Sequence, residues 1–269
     1  MSATTSNYGP TASRTHGRPG REIRPSSLTV GMHSHLLIPE AAAIAEPHLD
    51  PMTVSPHRFS TPETRRVNAD QNRDRARHIT ELEIRRAEMA AMGLDRQVIA
   101  PPPPQCYYTI EAGIARRTTR VVNEGIAAFV ARRPDLFAGL GTVPMQDPPA
   151  VASELTHAVE TLGLKGVQLL TSLPGRELSD PAYEPFWTRA EELGTYLRRI
   201  YVDTIVFTPH QLSALIAVFG PDHVLLGTDH PFDMGEYDPV GHVLETPGLD
   251  AATQARIIGG NAARLFGMM

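Results

Sequence analysis

The sequence predicts an α/β protein built on a parallel sheet, of the (β/α)8 barrel type but short of two strands. Three observations carry this. Short apolar runs alternate with helix-like segments of 10 to 20 residues, a pattern that implies βαβ units around a parallel sheet. The 269 residues are close to the roughly 250 that one barrel needs. The alternation contains six strands, where a closed barrel of this type has about eight.

The elements follow in chain order. Residues 1–27 are polar and rich in Ser, Thr, Gly, Pro and Arg, with Pro10 and Pro19 opposing a helix. A disordered tail is expected there rather than an amphipathic transit peptide, leaving residues 28–269 as one domain. Leu28 to Ile38 reads as the first strand, and Pro39 to Arg77 as a long loop broken by Pro47, Pro51, Pro56 and Pro62. A loop of that length inside a compact domain is often functional. Ile79 to Met92 has Leu82, Arg85/Arg86 and Met89 at helical spacing, with Gly93 to end the helix.

Gln97 to Ala100 is a second strand, closed by Pro101 to Pro104; Ile114 to Arg133 is a helix stopped by Pro134; and Phe137 to Met145 is a third strand. A helix over Ala150 to Leu162 ends at Gly163, a fourth strand covers Gly166 to Thr171, and a helix over Tyr183 to Leu193 ends at Gly194. Ile200 to Phe207, rich in β-branched and aromatic residues, is the next strand. Pro209 to Phe219 is helical up to Gly220, Val224 to Thr228 is the last strand, and Ala251 to Ile258 and Ala262 to Phe266 close the chain as helices, with Asn261 an N-cap for the second.

Bulk properties remove several function classes. With 41% hydrophobic and 20% charged residues, the chain as a whole is globular rather than disordered. A net charge of −5 and a pI near 6.1 give no electrostatic footprint for nucleic acid. Cys106 is the single cysteine, so no intrachain disulfide forms. No apolar run reaches 18 residues, so no transmembrane helix is expected. Without a signal peptide or disulfides, a cytoplasmic location is expected.

Chemistry concentrates at two strand ends. Met32-His33-Ser34-His35 lies on the first strand, where alternate residues share a face, so His33 and His35 point the same way. Two imidazoles converging at the C-terminal end of a barrel strand suit a divalent metal. Taken alone, His-x-His also describes surface or loop-packed histidines. Asp229 ends the last apolar strand in Leu225-Leu226-Gly227-Thr228-Asp229-His230-Pro231. A carboxylate there caps a helix, ligates a metal or acts as a base, and Pro231-Phe232 rather than an amphipathic helix follows it. His230 reads equally as rim, packing or substrate contact. The histidines at 16, 48, 57, 78, 157, 210, 223 and 242 pair at no ligand spacing and read mainly as solvated. Phosphate-binding and serine-hydrolase motifs are absent.

Several segments, in order, resemble one family. Phe137-Ala-Gly-Leu-Gly-Thr-Val-Pro-Met-Gln-Asp147, Leu162-Gly-Leu-Lys-Gly-Val-Gln-Leu169, Tyr201-Val-Asp-Thr-Ile-Val206, Leu226-Gly-Thr-Asp-His-Pro-Phe232 and Gly259-Gly-Asn-Ala-Ala-Arg-Leu-Phe266 look like strands three, four, seven and eight and the closing helix of the aminocarboxymuconate-semialdehyde decarboxylase branch of the amidohydrolase superfamily. The resemblance implies a (β/α)8 barrel with one divalent metal, zinc first and manganese second, and no organic cofactor. It implies His33, His35 and Asp229 as metal ligands, with Asp229 also catalytic in handling protons. Arg85 lies near a family arginine position.

The family also places a metal-binding histidine after strand five and a catalytic histidine after strand six. Here Ala190-Glu-Glu-Leu-Gly-Thr-Tyr-Leu-Arg-Arg-Ile-Tyr201 runs from the helix after strand four almost directly into strand seven. Two βα units, roughly 60 residues, have no room. The expected activity is metal-dependent, non-oxidative decarboxylation of a small unsaturated or aromatic carboxylic acid. A related hydrolase or hydratase, and a catalytically impaired barrel remnant, are the alternatives. The expected partner is a small-molecule carboxylate, with no nucleic acid or membrane, and a homodimer is the default assembly.

Overall fold

The computed structural model describes residues 27–50, 53, 59–171, 173–193, 201–232 and 234–268. The expected N-terminal tail, apart from Ser27, lies outside the described residues, as do residues 194–200, which include Gly194, expected to end the helix, and Ile200, expected to begin the next strand.

Strands β1 (Val30–Gly31) and β2 (His33–Ser34) form the first strand position, followed by β3 (Arg96–Ile99) and β4 (Phe137–Gly139). Then come β5 (Val202–Asp203), β6 (Val224–Leu225) and β7 (Gly227–His230). Among the described residues the named strands all pair in parallel: β1 lies beside β3 and β3 beside β4, β2 beside β7, and β5 beside β6. Isolated bridges extend the order, Gly141 to Val167 at one end and His35 to Ala100 in the middle. The result is one arc, running from Val167 through β4, β3, β1/β2 and β7/β6 to β5. Among the described residues no strand joins Val167 to β5, so the sheet is an open arc of six strand positions and not a closed barrel.

Helices connect the strands, and several start where proline leaves no amide hydrogen to satisfy. These are α1 (Pro39–Ala45), α2 (Pro62–Asp74), α3 (Leu82–Met92), α4 (Ala112–Arg132), α5 (Pro148–Thr156), α6 (Glu184–Glu192), α7 (Pro209–Phe219), α8 (Pro239–Leu244), α9 (Ala251–Ala255) and α10 (Asn261–Phe266). Thr61 caps α2 by accepting from the Thr64 amide at 3.1 Å, and Thr208 caps α7 by accepting from the Gln211 amide at 3.2 Å. None of the described helices is long and apolar enough to cross a membrane.

Three expectations are corrected. The segment predicted as a loop over residues 39–77 contains α1 and α2, because Pro39 and Pro62 begin helices instead of breaking them. The strand predicted over 166–171 is reduced to the bridge at Val167: among the described residues it has a bonded neighbour on one side only, and three backbone hydrogen bonds near Gly141 hold it. Asn261 is not an N-cap; it lies inside α10 with helical dihedrals, and its side chain donates to the carbonyls of Pro221 (2.8 Å) and Val224 (2.9 Å).

The main core lies between the arc and its helices, around Leu36, Ile99, Val122, Ile126, Leu226 and Ile257. A second apolar cluster takes one side chain from each of four strands, Val30, Val98, Ala138 and Leu225, and covers them with Ala262, Ala263 and Phe266 of α10 and with Met268. Burial of this kind contributes about 25 cal/mol per Å2 of apolar surface. It fixes the C-terminal helix across β1, β3, β4 and β6. Two of those strand positions, the first and the one formed by β6 and β7, carry His33, His35 and Asp229 at their C-terminal ends.

Candidate metal centre

Three side chains from the ends of two neighbouring strand positions meet at one point. Nε2 of His33 lies 3.5 Å from Oδ1 of Asp229, and Nε2 of His35 lies 3.3 Å from the same oxygen. The two imidazole rings meet edge to face, with centroids 5.2 Å apart. One ligand atom from each of the three residues falls within 4.8 Å of the others. The structure therefore brings together the three residues that the sequence analysis singled out. Alternation along a regular strand does not fully explain this, since the register shifts between His33 and Ser34. His35 then pairs with Ala100 instead of continuing β2.

The surroundings decide which ring nitrogens face inward. Nδ1 of His33 is 2.6 Å from Oδ2 of Asp203 at the end of β5. A carboxylate only accepts, so Nδ1 carries the proton and Nε2 keeps its lone pair. Nδ1 of His35 likewise donates to the Pro101 carbonyl, at 3.2 Å. Gln168 donates to that same carbonyl at 3.0 Å. In the neutral form of each ring the inward nitrogen is therefore the one that keeps its lone pair, the form a metal requires. Burial pulls the pKa of His33 down, but the Asp203 hydrogen bond and charge, together with the Asp229 charge, outweigh it and raise the value above that of an ordinary histidine.

Asp229 sits on a special backbone. Its φ is 53°, a left-handed conformation that non-glycine residues seldom hold without compensation from their surroundings. Neighbouring bonds provide that support: Thr228 Oγ1 donates to the His33 carbonyl at 2.8 Å, and the Glu236 amide donates to the Thr228 carbonyl at 2.9 Å. The turn after β7 crosses so closely that a Cβ on Gly235 would lie 2.6 Å from the Thr228 carbonyl oxygen.

Behind the site lies a buried polar brace. Arg85 is fully buried; it donates to Gln97 Oε1 at 3.0 Å and to the His35 carbonyl. Burial pushes its pKa down to about 10, against the pull of the Glu88 charge. Glu88 accepts from His230 Nε2 at 2.7 Å and from His78 Nδ1 at 2.6 Å. Burial alone would raise the pKa of Glu88, but the bonds and charges of His230 and His78 hold it below the usual glutamate value. Burial lowers the pKa of His230 below the ordinary histidine value, and the Arg85 charge adds to this against the bond to Glu88. His230 is therefore a packing and bracing residue. Two histidines expected to be solvated are engaged: His78 pairs with Glu88, and His242 is fully buried in α8.

Replacing Glu88 by glutamine is expected to lower unfolding stability by about 1–3 kcal/mol, because the buried His230 loses its charged acceptor. Because the native pKa of Glu88 is depressed, this contribution is present above the unfolded glutamate value and is lost as pH falls through the native one. Urea unfolding at neutral pH and at pH near 4 checks both points; an unchanged midpoint at neutral pH would count against the brace.

Sequence reasoning missed Asp203, Arg85 and Glu88 as parts of the site. Asp203 lies inside the strand predicted over Ile200 to Phe207, and only the structure, where β5 ends at Asp203, puts it at a strand end.

The sequence profile of the amidohydrolase family matches residues 30–201 and 196–268. The 2-amino-3-carboxymuconate-6-semialdehyde decarboxylase of Dictyostelium discoideum is 21% identical over 332 residues, spanning 90% of this chain and 92% of that protein. An alignment of that length on a 269-residue chain means that the relative carries residues with no counterpart here. The crystal structure of 5-carboxyvanillate decarboxylase from Sphingomonas paucimobilis superposes with a TM-score of 0.74 at 17% identity, covering 91% of this chain and 100% of that one. Dihydroxybenzoic acid decarboxylase from Polaromonas sp. JS666, solved with bound manganese and 2-nitroresorcinol, gives 0.69 at 16% identity, covering 90% of this chain and 97% of that one. These superpositions show that the chain shares the fold of those two proteins.

Proposed function

Because the chain belongs to the amidohydrolase family, we propose that it is a metal-dependent, non-oxidative decarboxylase of a small unsaturated or aromatic carboxylic acid. The observation that carries this reading is the convergence of His33 Nε2, His35 Nε2 and Asp229 Oδ1, with the outer nitrogen of each ring already committed to a hydrogen bond.

His33, His35 and Asp229 would hold one divalent cation. Two imidazoles and a carboxylate suit zinc, and the Polaromonas relative was solved with manganese. The cation would supply Lewis acidity towards an oxygen of the substrate. In the reaction the carbon–carboxylate bond breaks, CO2 leaves, and the electron pair remaining on carbon takes a proton. The carboxylate of Asp229, at the mouth of the strand ends, is the group placed to move that proton. Phe232, with its ring centroid 5.2 Å from that of His35 and the Arg75 guanidinium 4.9 Å from its own, walls one side of the site.

The chain is, in this reading, a shortened family member that lacks the strand-five and strand-six units. The family profile matches in two segments that meet at residues 196–201, and the described arc is open between Val167 and β5. The histidines expected from those units are then missing, and three protein ligands with water remain a workable catalytic set.

The test is CO2 release from metal-loaded protein given 2,6-dihydroxybenzoate, 5-carboxyvanillate and 2-amino-3-carboxymuconate semialdehyde in turn. Turnover of at least one, abolished by chelation, is expected. A fully metal-loaded protein that releases no CO2 from any of them would favour the impaired-remnant reading.

A further inference from the structure

The two histidines of the site are held in different ways. His35 is anchored by a main-chain carbonyl, that of Pro101. His33 is anchored by a side chain from a strand 170 residues away, Asp203. His33 is about one-third exposed, so packing alone does not set its ring.

Both oxygens of the Asp203 carboxylate are in use. Oδ2 takes the His33 proton at 2.6 Å, and Oδ1 accepts from the Ile205 amide at 3.0 Å. The pairing of Asp203 with Leu225 in β6 sets its height along the arc. Buried Thr204, next in the chain, accepts from the Gly227 amide at 3.1 Å through its hydroxyl. Gly227 leaves the space the carboxylate needs, since a Cβ there would lie 3.0 Å from both Cβ and Cγ of Asp203. Strand register, a main-chain donor and a glycine all converge on one orientation of this side chain.

We infer that Asp203 is the positioning residue of the centre: it fixes the tautomer and ring direction of His33 so that Nε2 faces Asp229. This rests on the metal-ligand reading of His33, His35 and Asp229. A carboxylate behind an imidazole ligand also makes the ligand more basic, and such partners are typically worth about 10- to 100-fold in metal affinity. With three protein ligands, each orientation carries a larger share of the binding.

Asp203→Asn gives a specific test. The new amide would keep its carbonyl on the Ile205 amide and turn its NH2 towards His33 Nδ1. His33 would then carry its proton on Nε2, the tautomer that cannot bind metal. Nitrogen-15 NMR of the metal-free protein, above the ordinary histidine range of pH, should show His33 switching from the Nδ1–H to the Nε2–H form. Titration calorimetry with Mn2+ and Zn2+ should show affinity falling about 10- to 100-fold, with the thermal midpoint of the metal-free protein unchanged. Asp203→Ala, which removes the acceptor without presenting a donor, should give mixed tautomers and a smaller loss. It serves as the second variant if the first does not fold. A folded variant that keeps both the Nδ1–H form and wild-type affinity would overturn the assignment. If wild-type protein binds neither metal while Asp203→Asn still switches the tautomer, the orienting role stands and the metal reading fails.

Discussion

Replacing Asp229 by asparagine is expected to reduce decarboxylation by about 10²- to 10⁴-fold, the usual effect of losing a general acid–base group. The substitution is clean. Asparagine has nearly the shape of aspartate and is among the few residues that accept a left-handed backbone, so the φ of 53° at this position is not disturbed. The amide cannot move a proton, and it removes the negative charge that both Nε2 atoms face, at 3.5 and 3.3 Å. Initial rates of CO2 release at saturating metal, beside thermal unfolding of both proteins, make the comparison. A variant that keeps its rate within a few-fold would remove Asp229 from the chemistry.

The largest structural effect is expected at Gly259. A Cβ there would lie 1.9 Å from the carbonyl oxygen of Leu28, 2.7 Å from its carbonyl carbon and 3.1 Å from Cα of Thr29. All three are backbone atoms, so no side-chain rotation relieves the clash. The first strand must move, or the turn of helix over Arg256–Gly260 must withdraw. Overpacking typically costs about 1–3 kcal/mol and occasionally more. Gly259→Ala belongs at or above the top of that range. In a domain of this size each kcal/mol lowers the melting point by roughly 2–4 °C. Because β1 leads directly into His33 and His35, metal affinity should fall together with stability. A melting point equal to that of the wild type would contradict the described packing of the first strand against the C-terminal segment.

The site was more legible in the sequence than the details of the fold. His33 and His35 could be found because a strand presents alternate residues to one face, and Asp229 because a carboxylate ends an apolar strand. Helix α7 was predicted at its observed bounds, since Pro209 and Gly220 punctuate it at both ends. Other features depend on contacts that no local pattern encodes. Prolines 39 and 62 read as breakers, yet each starts a helix, and only the tertiary setting decides between those roles. The fourth strand has the right composition but, among the described residues, a bonded neighbour on one side only, and it remains a single bridge. The bond between Asp203 and His33, and the brace joining Arg85, Glu88 and His230, link residues far apart in the chain. Asp203 lay within a segment recognised as a family strand, but its role emerges only once β5 is placed beside β6.

The most direct test of the account is the metal content of the purified, monodisperse protein after incubation with Mn2+ or Zn2+ and removal of free ions. Elemental analysis is expected to find about one equivalent per chain, as for a single catalytic centre, and almost none in the His33→Ala/His35→Ala double variant. Metal-free wild-type protein, or an equal metal content in the double variant, would contradict a metal centre at His33, His35 and Asp229.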